Sequence, residues 1–369
     1  MIYWDHNAGT PLLPEVQALL RERLFLYGNA SSVHQQGRRA RARLEDARAR
    51  VAASLGCEAK EVSFVASGSE ANALALFGAY RARAREGRRE IVTSSVEHPS
   101  IGSVLEQLRC EGALVHAVRP GVDGRVDPDA LAAHLGESTA VCTLMAANNE
   151  TGVLQPAEQL ARLCRKRGIP FHTDAVQLPG RVPVKFHGLD ADLLSLAGHK
   201  FGAPPGTAVL VARGEVSLRP LVPGHQEGGR KGGTVDVTGA EALALALELA
   251  QSRDVRTLQE LRDAFEREVL RCVPTARVNG GGAPRLANTS NLRFEGADAE
   301  ALLIALDLEG ICVSTGAACA SGSLKPSHVL LEMGLSREEA RQSLRFSLGA
   351  ETTKEDVKRV VSVLARAVG

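Results

Sequence analysis

Apolar and polar residues follow two different periods along this chain. Short apolar runs rich in β-branched residues recur between longer stretches in which apolar residues repeat every three or four positions. The first pattern is typical of buried strands and the second of amphipathic helices. Strands that alternate with helices predict an α/β fold, in which a mainly parallel sheet is covered by helices.

The predicted elements bring the polar residues with chemical potential to one place. The helical patterns cover Val33–Leu55, Glu70–Glu86, Ile101–Glu111 and Ala157–Arg167. The strand patterns cover Val62–Val65, Ile91–Ser94, Ala140–Met145, Ile169–Thr173, Ala191–Leu196 and Thr207–Ala212. Open α/β sheets bind ligands beyond the carboxyl ends of their strands. Polar residues follow several of these predicted strands, namely Glu97, His98, Asn148, Asn149, Glu150, Asp174, Gln177, His199 and Lys200.

The pattern changes in the last third of the chain. An Ala/Leu/Glu-rich stretch from Thr238 to about Val273 predicts helices that leave the first domain, and Asn279–Pro284 is typical of a turn. The remaining predicted elements are strands near Thr289–Phe294 and Ser343–Ser347 and helices near Asp298–Leu308 and Thr353–Ala367. We predict a large domain over residues 15–250 and a smaller α+β domain formed by residues 1–14 and 251–369.

Composition excludes several classes of partner. The 44 basic and 43 acidic residues give a net charge of +1, so neither nucleic acid nor an anionic membrane is expected as the main partner. No apolar run is long enough to span a bilayer, and the N-terminus lacks a signal-peptide pattern, which predicts a cytoplasmic location. The seven cysteines contain no C-x-x-C pair, so neither a metal site nor a disulfide framework is predicted.

Two strand ends supply the residues that pyridoxal phosphate (PLP) chemistry requires. PLP enzymes use a lysine for a Schiff base and a carboxylate that keeps the pyridinium nitrogen protonated. Asp174 ends one predicted strand and is followed by Gln177, and Lys200 follows another in the run Gly198-His199-Lys200. A solvated surface lysine is the competing interpretation of Lys200.

Other strand ends fit the same cofactor, each with a structural alternative. The run Ala66-Ser67-Gly68-Ser69-Glu70 suits either a phosphate at a helix N-terminus or a capped turn. His98 suits ring stacking or a catalytic role in proton transfer, with a structural role as the alternative. The adjacent amides of Asn148 and Asn149 suit either an oxygen ligand or a turn.

Two features of the last third are candidates for a nucleophile that travels between two places and for an anion-binding group. Cys319 stands in the run Ser314–Ser323, which consists of small residues, so no neighbouring side chain buries the thiol. The alternative is a cysteine in a loop without a role. Arg345, in an otherwise apolar strand, requires an anionic partner, either a substrate carboxylate or a structural ion pair.

Taken together and in this order, these runs resemble the cysteine desulfurases of the nitrogen-fixation and iron–sulfur-cluster type. The resemblance covers nearly the whole chain. It is carried by the runs Asp5–Pro11, Gly28–Ser32, Gly198–Lys200, the Cys319 segment followed by Leu324–Leu330, and Arg345–Gly349. It implies a homodimeric PLP enzyme of fold type I, a class-V aminotransferase relative, that converts L-cysteine to L-alanine.

The resemblance also implies roles for individual residues. Lys200 forms the Schiff base and moves the substrate proton, Asp174 pairs with the pyridinium nitrogen, Gln177 bonds the ring hydroxyl oxygen, and His98 stacks on the ring. The phosphate is held by the Gly68-Ser69 turn, by His199 and by Thr234 from the partner subunit. Asn148 and Arg345 hold the substrate carboxylate. Cys319 takes the sulfur as a persulfide and passes it to an acceptor or scaffold protein for iron–sulfur cluster, thio-cofactor or tRNA biosynthesis.

Several positions depart from the family pattern. Ala197 replaces a serine that donates to the phosphate, Pro205 replaces a lysine, and Gly228 and Lys231 replace two arginines. These changes predict a divergent member with a weaker phosphate site. Two other functions stay open at this point: another fold-type-I PLP activity, such as selenocysteine lyase or aminotransferase, and a non-catalytic interaction partner.

Overall fold

A computed structural model of the chain describes residues 1–316 and 326–368. The α-helices are α1 (Pro14–Arg23), α2 (Gln35–Leu55), α3 (Gly68–Arg83), α4 (Pro99–Cys110), α5 (Pro128–Ala132), α6 (Ala157–Lys166), α7 (Val237–Gln251), α8 (Arg256–Cys272), α9 (Ala299–Leu308), α10 (His328–Glu332), α11 (Arg337–Arg341) and α12 (Lys354–Val368). The strands are β1 (Ile2–Tyr3), β2 (Val62–Val65), β3 (Glu90–Ser94), β4 (Leu114–Val118), β5 (Thr139–Thr143), β6 (Phe171–Asp174), β7 (Leu193–Ala197), β8 (Ala208–Ala212), β9 (Ala276–Val278), β10 (Thr289–Phe294), β11 (Ile311–Cys312) and β12 (Ser343–Ser347).

The central sheet has the strand order β2-β8-β7-β6-β5-β3-β4. Strands β4, β3, β5, β6 and β7 run parallel to one another, whereas β8 is antiparallel to both of its neighbours. The inner strands are buried along their whole length because helices cover both faces, as expected for a parallel sheet. The predicted α/β fold class is confirmed.

A second, smaller sheet is antiparallel and has the order β12-β10-β9. It packs with α8, α9 and α12 around a separate hydrophobic core that contains Phe265, Phe294 and Phe346. The extreme N-terminus joins this part: β1 pairs with β11, and Trp4 lies in the same core. The segment 326–340, in contrast, packs Val329, Leu330, Met333 and Ala340 into the core around the central sheet. The domain boundaries at 15 and 250 stay a prediction.

The sequence patterns predicted the bounds of buried strands more accurately than those of the other elements. The predicted bounds of β2, β10 and β12 are those observed, and the other predicted elements differ at their ends by a few residues. Strand β4 at the edge of the sheet was not predicted: its five residues, Leu114–Val118, are exposed or only partly buried, and His116 interrupts the apolar run. The short strands β1, β9 and β11 were also missed. In the described part of the chain, no helix is both long and apolar enough to cross a membrane.

Candidate active site

A cavity of about 350 Å³ lies at the carboxyl ends of the parallel strands. Its walls are formed by Asn7, Ala8, Ser67, Gly68, Ser69, Asn72, His98, Ser100, Met145, Ala147, Asn149, Asp174, Val176, Gln177, Ala197, His199, Lys200, Ser314, Gly316 and Arg345. Most of the predicted site residues therefore meet in one place. A larger groove of about 730 Å³ between α8 and α12 contains none of them.

Lys200 follows β7 in a short turn and extends its amine into this cavity. Lys200 Nζ donates hydrogen bonds to the carbonyl oxygens of Asn7 (2.8 Å) and Ala8 (2.9 Å). Burial, together with the positive charges of Arg181 and Arg345, lowers the pKa of Lys200 to about 8. The solvated surface lysine is excluded, because this amine is partly buried and held by two carbonyl groups.

Asp174 is the last residue of β6 and is almost fully buried, with 6% of its surface exposed. Asn72 Nδ2 donates to its Oδ2 at 2.7 Å, and the backbone N–H of Val176 donates to its Oδ1 at 3.0 Å. Two donors on separate oxygens fix the direction of this carboxylate. Such a group is suited to pair with a cationic ring nitrogen.

Gln177 lies in the turn after Asp174 and has polar partners of its own. Its Nε2 donates to the carbonyl oxygen of Asn7 at 3.1 Å, and its Oε1 accepts from Arg181 Nη1 at 2.6 Å. Arg181 is fully enclosed and also donates to the carbonyl oxygen of His6 at 2.9 Å. The N-terminal segment, Gln177 and Lys200 are thus joined by one buried arginine that the sequence analysis did not single out.

His98 caps the N-terminus of α4 after β3. Its Nδ1 accepts from the backbone N–H of Ser100 at 3.1 Å and lies 2.8 Å from Ser100 Oγ, which itself accepts from Asn72 Nδ2 at 3.1 Å. Because Nδ1 accepts a backbone hydrogen bond, the neutral ring carries its proton on Nε2. Burial lowers the pKa of His98 and favours this neutral form. Asn72 links His98 to Asp174 through Ser100.

The start of α3 supplies backbone N–H groups to the other end of the cavity. Ser67 is the N-cap residue, and its Oγ accepts from the backbone N–H of Glu70 at 3.1 Å. The capped turn is therefore present, and it is compatible with an anion site at the same helix N-terminus. Gly68 lies against Val176 and Ala197, where a Cβ would come within 3.1 and 3.2 Å of their methyl carbons. A helix N-terminus with small residues favours an anion.

Asn149, rather than Asn148, lies on the cavity wall, which corrects the assignment of Asn148 as a ligand-binding residue. The Oδ1 atom of Asn148 accepts from the backbone N–H groups of Glu150 (2.9 Å) and Thr151 (3.0 Å), and its Nδ2 donates to the carbonyl oxygen of Val96 (3.2 Å). The side chain of Asn148 is therefore used in the turn, which was the alternative interpretation. Because Asn148 and Asn149 are adjacent and identical, the sequence alone could not show which of them lies on the cavity wall.

Arg345 lines the cavity and is also part of an ion pair. Its Nη2 donates to Asp5 Oδ1 at 2.6 Å and its Nη1 to the carbonyl oxygen of Asn149 at 3.0 Å. The Nε atom is buried without a hydrogen-bond partner among the described residues. The structural ion pair is thus present, and a substrate carboxylate would have to share this guanidinium with Asp5.

Two predicted residues lie elsewhere. Thr234 is exposed beside a smaller cleft of about 130 Å³ that also includes Lys231. The resemblance implies that Thr234 contributes to the site of the partner subunit. Within a single chain, Thr234 lies outside the cavity that contains Lys200. Cys319 lies outside the described residues.

The comparisons with known proteins agree with this site. A model of the class-V aminotransferase family matches residues 2–360. The chain belongs to this family. A cysteine desulfurase of Cereibacter sphaeroides is 43% identical to it over 367 residues, which is 98% of this chain and 94% of that protein.

Solved structures give the same relationship. A NifS-like protein from Rickettsia africae superimposes with a TM-score of 0.89 at 30% identity, covering 100% of this chain and 99% of that one. A protein titled SspA in complex with cysteine gives a TM-score of 0.84 at 29% identity, covering 94% of this chain and 99% of that one. The resemblance to cysteine desulfurases predicted from the sequence is confirmed, and enzymes of this family depend on PLP.

Proposed function

We propose that this chain is a PLP-dependent cysteine desulfurase, which converts L-cysteine to L-alanine and retains the sulfur as a persulfide on Cys319. The observation that carries the proposal is that Lys200, Asp174 and Gly316 line one cavity. Gly316 precedes Cys319 by three residues, and three residues span at most about 11 Å. The amine, the carboxylate and the chain leading to the thiol therefore meet at one site.

The residues of the cavity fit PLP at each of its polar groups. Lys200 supplies the amine that would hold the cofactor covalently, Asp174 the anion for the ring nitrogen, and the N-terminus of α3 the donors for the phosphate. The neutral ring of His98 lies on the same cavity wall. When bound, PLP acts as an electron sink, which makes the bonds from the substrate carbons to their substituents easier to break.

The remaining chemistry belongs to side chains of this chain. The pKa of about 8 allows Lys200 to accept and return a proton near neutral pH. Arg345 and Asn149 line the wall on which the substrate carboxylate would bind. The Cys319 thiolate attacks the substrate sulfur, so that the carbon–sulfur bond breaks and a sulfur–sulfur bond forms. The substrate carbon keeps the electron pair of the broken bond and takes up a proton, which gives the methyl group of alanine. Alanine leaves, and the persulfide remains for an acceptor protein.

Turnover of L-cysteine tests this function directly. We expect the PLP-loaded protein, given L-cysteine and a thiol reductant, to release alanine and sulfide in equal amounts. Lys200→Ala should lose both the activity and the absorbance of lysine-bound PLP, whereas Cys319→Ala should keep the absorbance and lose alanine release. Cys110→Ala, which changes an exposed cysteine at the end of α4, is the matched control and should behave as the wild type.

Other results would identify a different function. Alanine release by Cys319→Ala at the wild-type rate would contradict the nucleophile. Amino exchange with pyruvate would indicate an aminotransferase, and preference for selenocysteine a lyase. Failure of the wild-type protein to bind PLP would indicate a non-catalytic interaction partner.

A homodimer is part of the proposal. The segment after α1 exposes apolar side chains in succession: Leu24 and Phe25 are 73% and 89% exposed, and Tyr27 is 76% exposed. Contiguous exposed apolar side chains mark an interaction surface, and a second copy of this chain would cover them. Light scattering should give the mass of a dimer for the wild type and a shift toward the monomer for Phe25→Glu. A monomeric wild type would contradict the dimer.

A cytoplasmic location is also part of the proposal. Among the described residues, the cysteines at positions 57, 110, 142, 164, 272 and 312 are all free thiols. Free thiols are typical of a reducing compartment. Fractionation of cells that produce the tagged protein tests this location, and recovery from the membrane or the medium would contradict it.

A further inference from the structure

Gln177 lines the cavity, and two neighbours of opposite character fix the orientation of its side-chain amide. Arg181 Nη1 donates to Gln177 Oε1 at 2.6 Å, and Gln177 Nε2 donates to the carbonyl oxygen of Asn7 at 3.1 Å. A guanidinium group can only donate hydrogen bonds, and a carbonyl oxygen can only accept them. The amide of Gln177 is therefore held in one orientation, because the reversed amide would lose both hydrogen bonds.

Arg181 is itself held by the backbone of three segments. It lies in the turn after β6 and is only 5% exposed. Its Nη1 also donates to the carbonyl oxygen of Gln177 at 3.0 Å, and its Nη2 donates to the carbonyl oxygens of His6 at 2.9 Å and Lys200 at 3.3 Å. The guanidinium group is thus bonded to the N-terminal segment and to the turns after β6 and β7. It cannot move away from Gln177 without losing these bonds.

The hydrogen-bond acceptors around Arg181 are neutral oxygens, so its positive charge acts on the groups nearby. Burial and the charges of Arg345 and Arg253 lower the pKa of Arg181 to about 9, which leaves the guanidinium charged at neutral pH. A charge in a buried place interacts with its neighbours more strongly than a charge in water. The surroundings of Gln177 therefore favour a ligand atom that carries negative charge.

The fixed amide also decides which kind of hydrogen bond Gln177 offers to the cavity. An amide nitrogen carries two hydrogens, and among the described residues only Asn7 accepts one from Gln177. The second hydrogen is available to a group in the cavity, whereas Oε1 faces Arg181. Gln177 can therefore donate to a ligand oxygen, and an ionised oxygen fits this place better than a hydroxyl group that must donate its proton.

We propose that Arg181 is a positioning residue for Gln177, which it holds with Nε2 toward the cavity so that the ring hydroxyl oxygen of PLP is bound in its ionised form. The inference rests on the part of the proposed function that places PLP in this cavity, with Gln177 beside the ring oxygen. It does not depend on the reaction with cysteine. Arg181 acts through Gln177 and not by contact with the cofactor.

The binding of two related ligands to the apo-protein tests this role. One is PLP, and the other is deoxypyridoxal phosphate, the PLP analogue without the ring hydroxyl group. The quantity measured is the selectivity, which is the ratio of the two affinities. An effect of Arg181 on Lys200 or on the phosphate would change both affinities alike and would cancel in this ratio. We expect Arg181→Met to lower the selectivity for PLP about tenfold, because a hydrogen bond to a charged oxygen contributes about this factor.

Two further variants of Arg181 separate the direction of the hydrogen bond from the presence of a polar group. The side chain of Arg181→Gln can donate or accept, so it no longer dictates the orientation of Gln177, and the selectivity should fall as in Arg181→Met. The side chain of Arg181→Lys can only donate, so the selectivity should stay within about threefold of the wild type. If Arg181→Met does not fold, Arg181→Gln gives the same comparison.

A double-mutant cycle shows whether Arg181 acts through Gln177. Gln177→Leu removes the amide and should lower the selectivity at least as much as Arg181→Met. The variant that carries both changes should be no less selective than Gln177→Leu, because both changes remove one interaction. A further loss in the double variant would show that Arg181 acts by another route and would overturn the inference.

Arg262→Met is the matched control. Arg262 in α8 is also 5% exposed, and its Nη1 donates to the carbonyl oxygen of Leu286 at 2.8 Å, away from the cavity. Its loss should lower thermal stability and leave the selectivity as in the wild type. An equal loss of selectivity in Arg262→Met would show a general effect of removing a buried arginine.

Two other results would also overturn the inference. One is an unchanged selectivity in both Arg181→Met and Arg181→Gln. The other is a loss in Arg181→Lys as large as that in Arg181→Met, because the direction of the hydrogen bond would then not matter. A wild-type protein that binds PLP but releases no alanine from L-cysteine would contradict the proposed function alone. A wild-type protein that does not bind PLP would contradict both.

Discussion

The two ends of the cavity are built in different ways. At one end Asp174 is buried and held by Asn72 Nδ2 and by the backbone N–H of Val176. At the other end, around Gly68, the walls are small residues and Ala197 offers no polar side chain. The first end fixes a charge with buried side chains, and the second offers mainly the N–H groups of a helix N-terminus.

The difference shows which part of the site carries the specificity for a cationic ring. A carboxylate in a buried place must be hydrogen-bonded, and its partners therefore fix its direction. A helix N-terminus attracts any anion of suitable size, and its strength depends on how many further donors are added. The absence of a serine hydroxyl at Ala197 should therefore weaken binding without changing what is bound.

The largest effect is expected at the carboxylate end. Asp174→Asn removes the negative charge that would pair with the ring nitrogen of PLP. Loss of one member of a buried charged pair costs about 2–5 kcal/mol, which is roughly thirtyfold to several thousandfold. We expect cysteine turnover to fall within this range while the fold is retained. The rate of alanine release per bound PLP measures it.

A second, partly buried aspartate provides the control for this change. Asp192 accepts from the backbone N–H of Phe171 at the opposite ends of the same strands. Asp192→Asn should lower stability but leave turnover per bound PLP unchanged. Equal turnover by Asp174→Asn and the wild type would show that the ring-nitrogen end does not control the reaction.

A smaller loss is expected when only the donor to Asp174 is removed. Asn72→Ala deletes a hydrogen bond to a charged group, which contributes about 1.5–3 kcal/mol, so PLP should bind roughly tenfold to a hundredfold more weakly. Titration of the apo-protein with PLP measures this affinity. Ser100→Ala, which keeps the Asp174 bond and removes only the hydroxyl between Asn72 and His98, should have the smaller effect. An affinity of Asn72→Ala equal to that of the wild type would contradict the role of this bond.

The same comparison explains what could be predicted from the sequence. Asp174 ends β6 and Lys200 follows the apolar strand β7, so the strand pattern and the rule that ligands bind at the carboxyl ends of strands predicted that the two residues lie close together. Asn72 lies within α3 and Arg181 in a turn, and neither position has a local signal. Their roles arise only when β6 packs beside α3 and the N-terminal segment crosses the strand ends.

The difference between Asn148 and Asn149 marks a further limit. In this turn, the first amide satisfies backbone N–H groups and the second lies on the cavity wall, and a shift of one residue exchanges these roles. The pattern predicts the turn but not its register. The hydrogen bond from Ser327 to Glu150 was equally hidden, because it joins residues far apart in the sequence.

The phosphate end can be strengthened by a single hydroxyl. Ala197→Ser adds a donor on the cavity wall at the end of β7, and we expect PLP to bind about tenfold more tightly, which corresponds to the lower end of the range for a bond to a charged group. Ala147→Ser, which changes another alanine of the cavity wall, is the matched control and should not tighten binding. An unchanged affinity in Ala197→Ser would show that the backbone N–H groups already satisfy the phosphate.

The smallest expected effect is a pH dependence that belongs to the lysine between the two ends. Burial and the charges of Arg181 and Arg345 lower the pKa of Lys200 to about 8, and only its neutral amine reacts with an aldehyde. The neutral fraction rises from about one-tenth at pH 7 to one-half at pH 8, so the rate of PLP incorporation into the apo-protein should rise about fivefold and then level off above pH 9. Stopped-flow absorbance measures this rate. A rate that still rises about sevenfold between pH 9 and pH 10 would indicate an ordinary solvated lysine and would contradict the electrostatic effect of its buried neighbours on the amine.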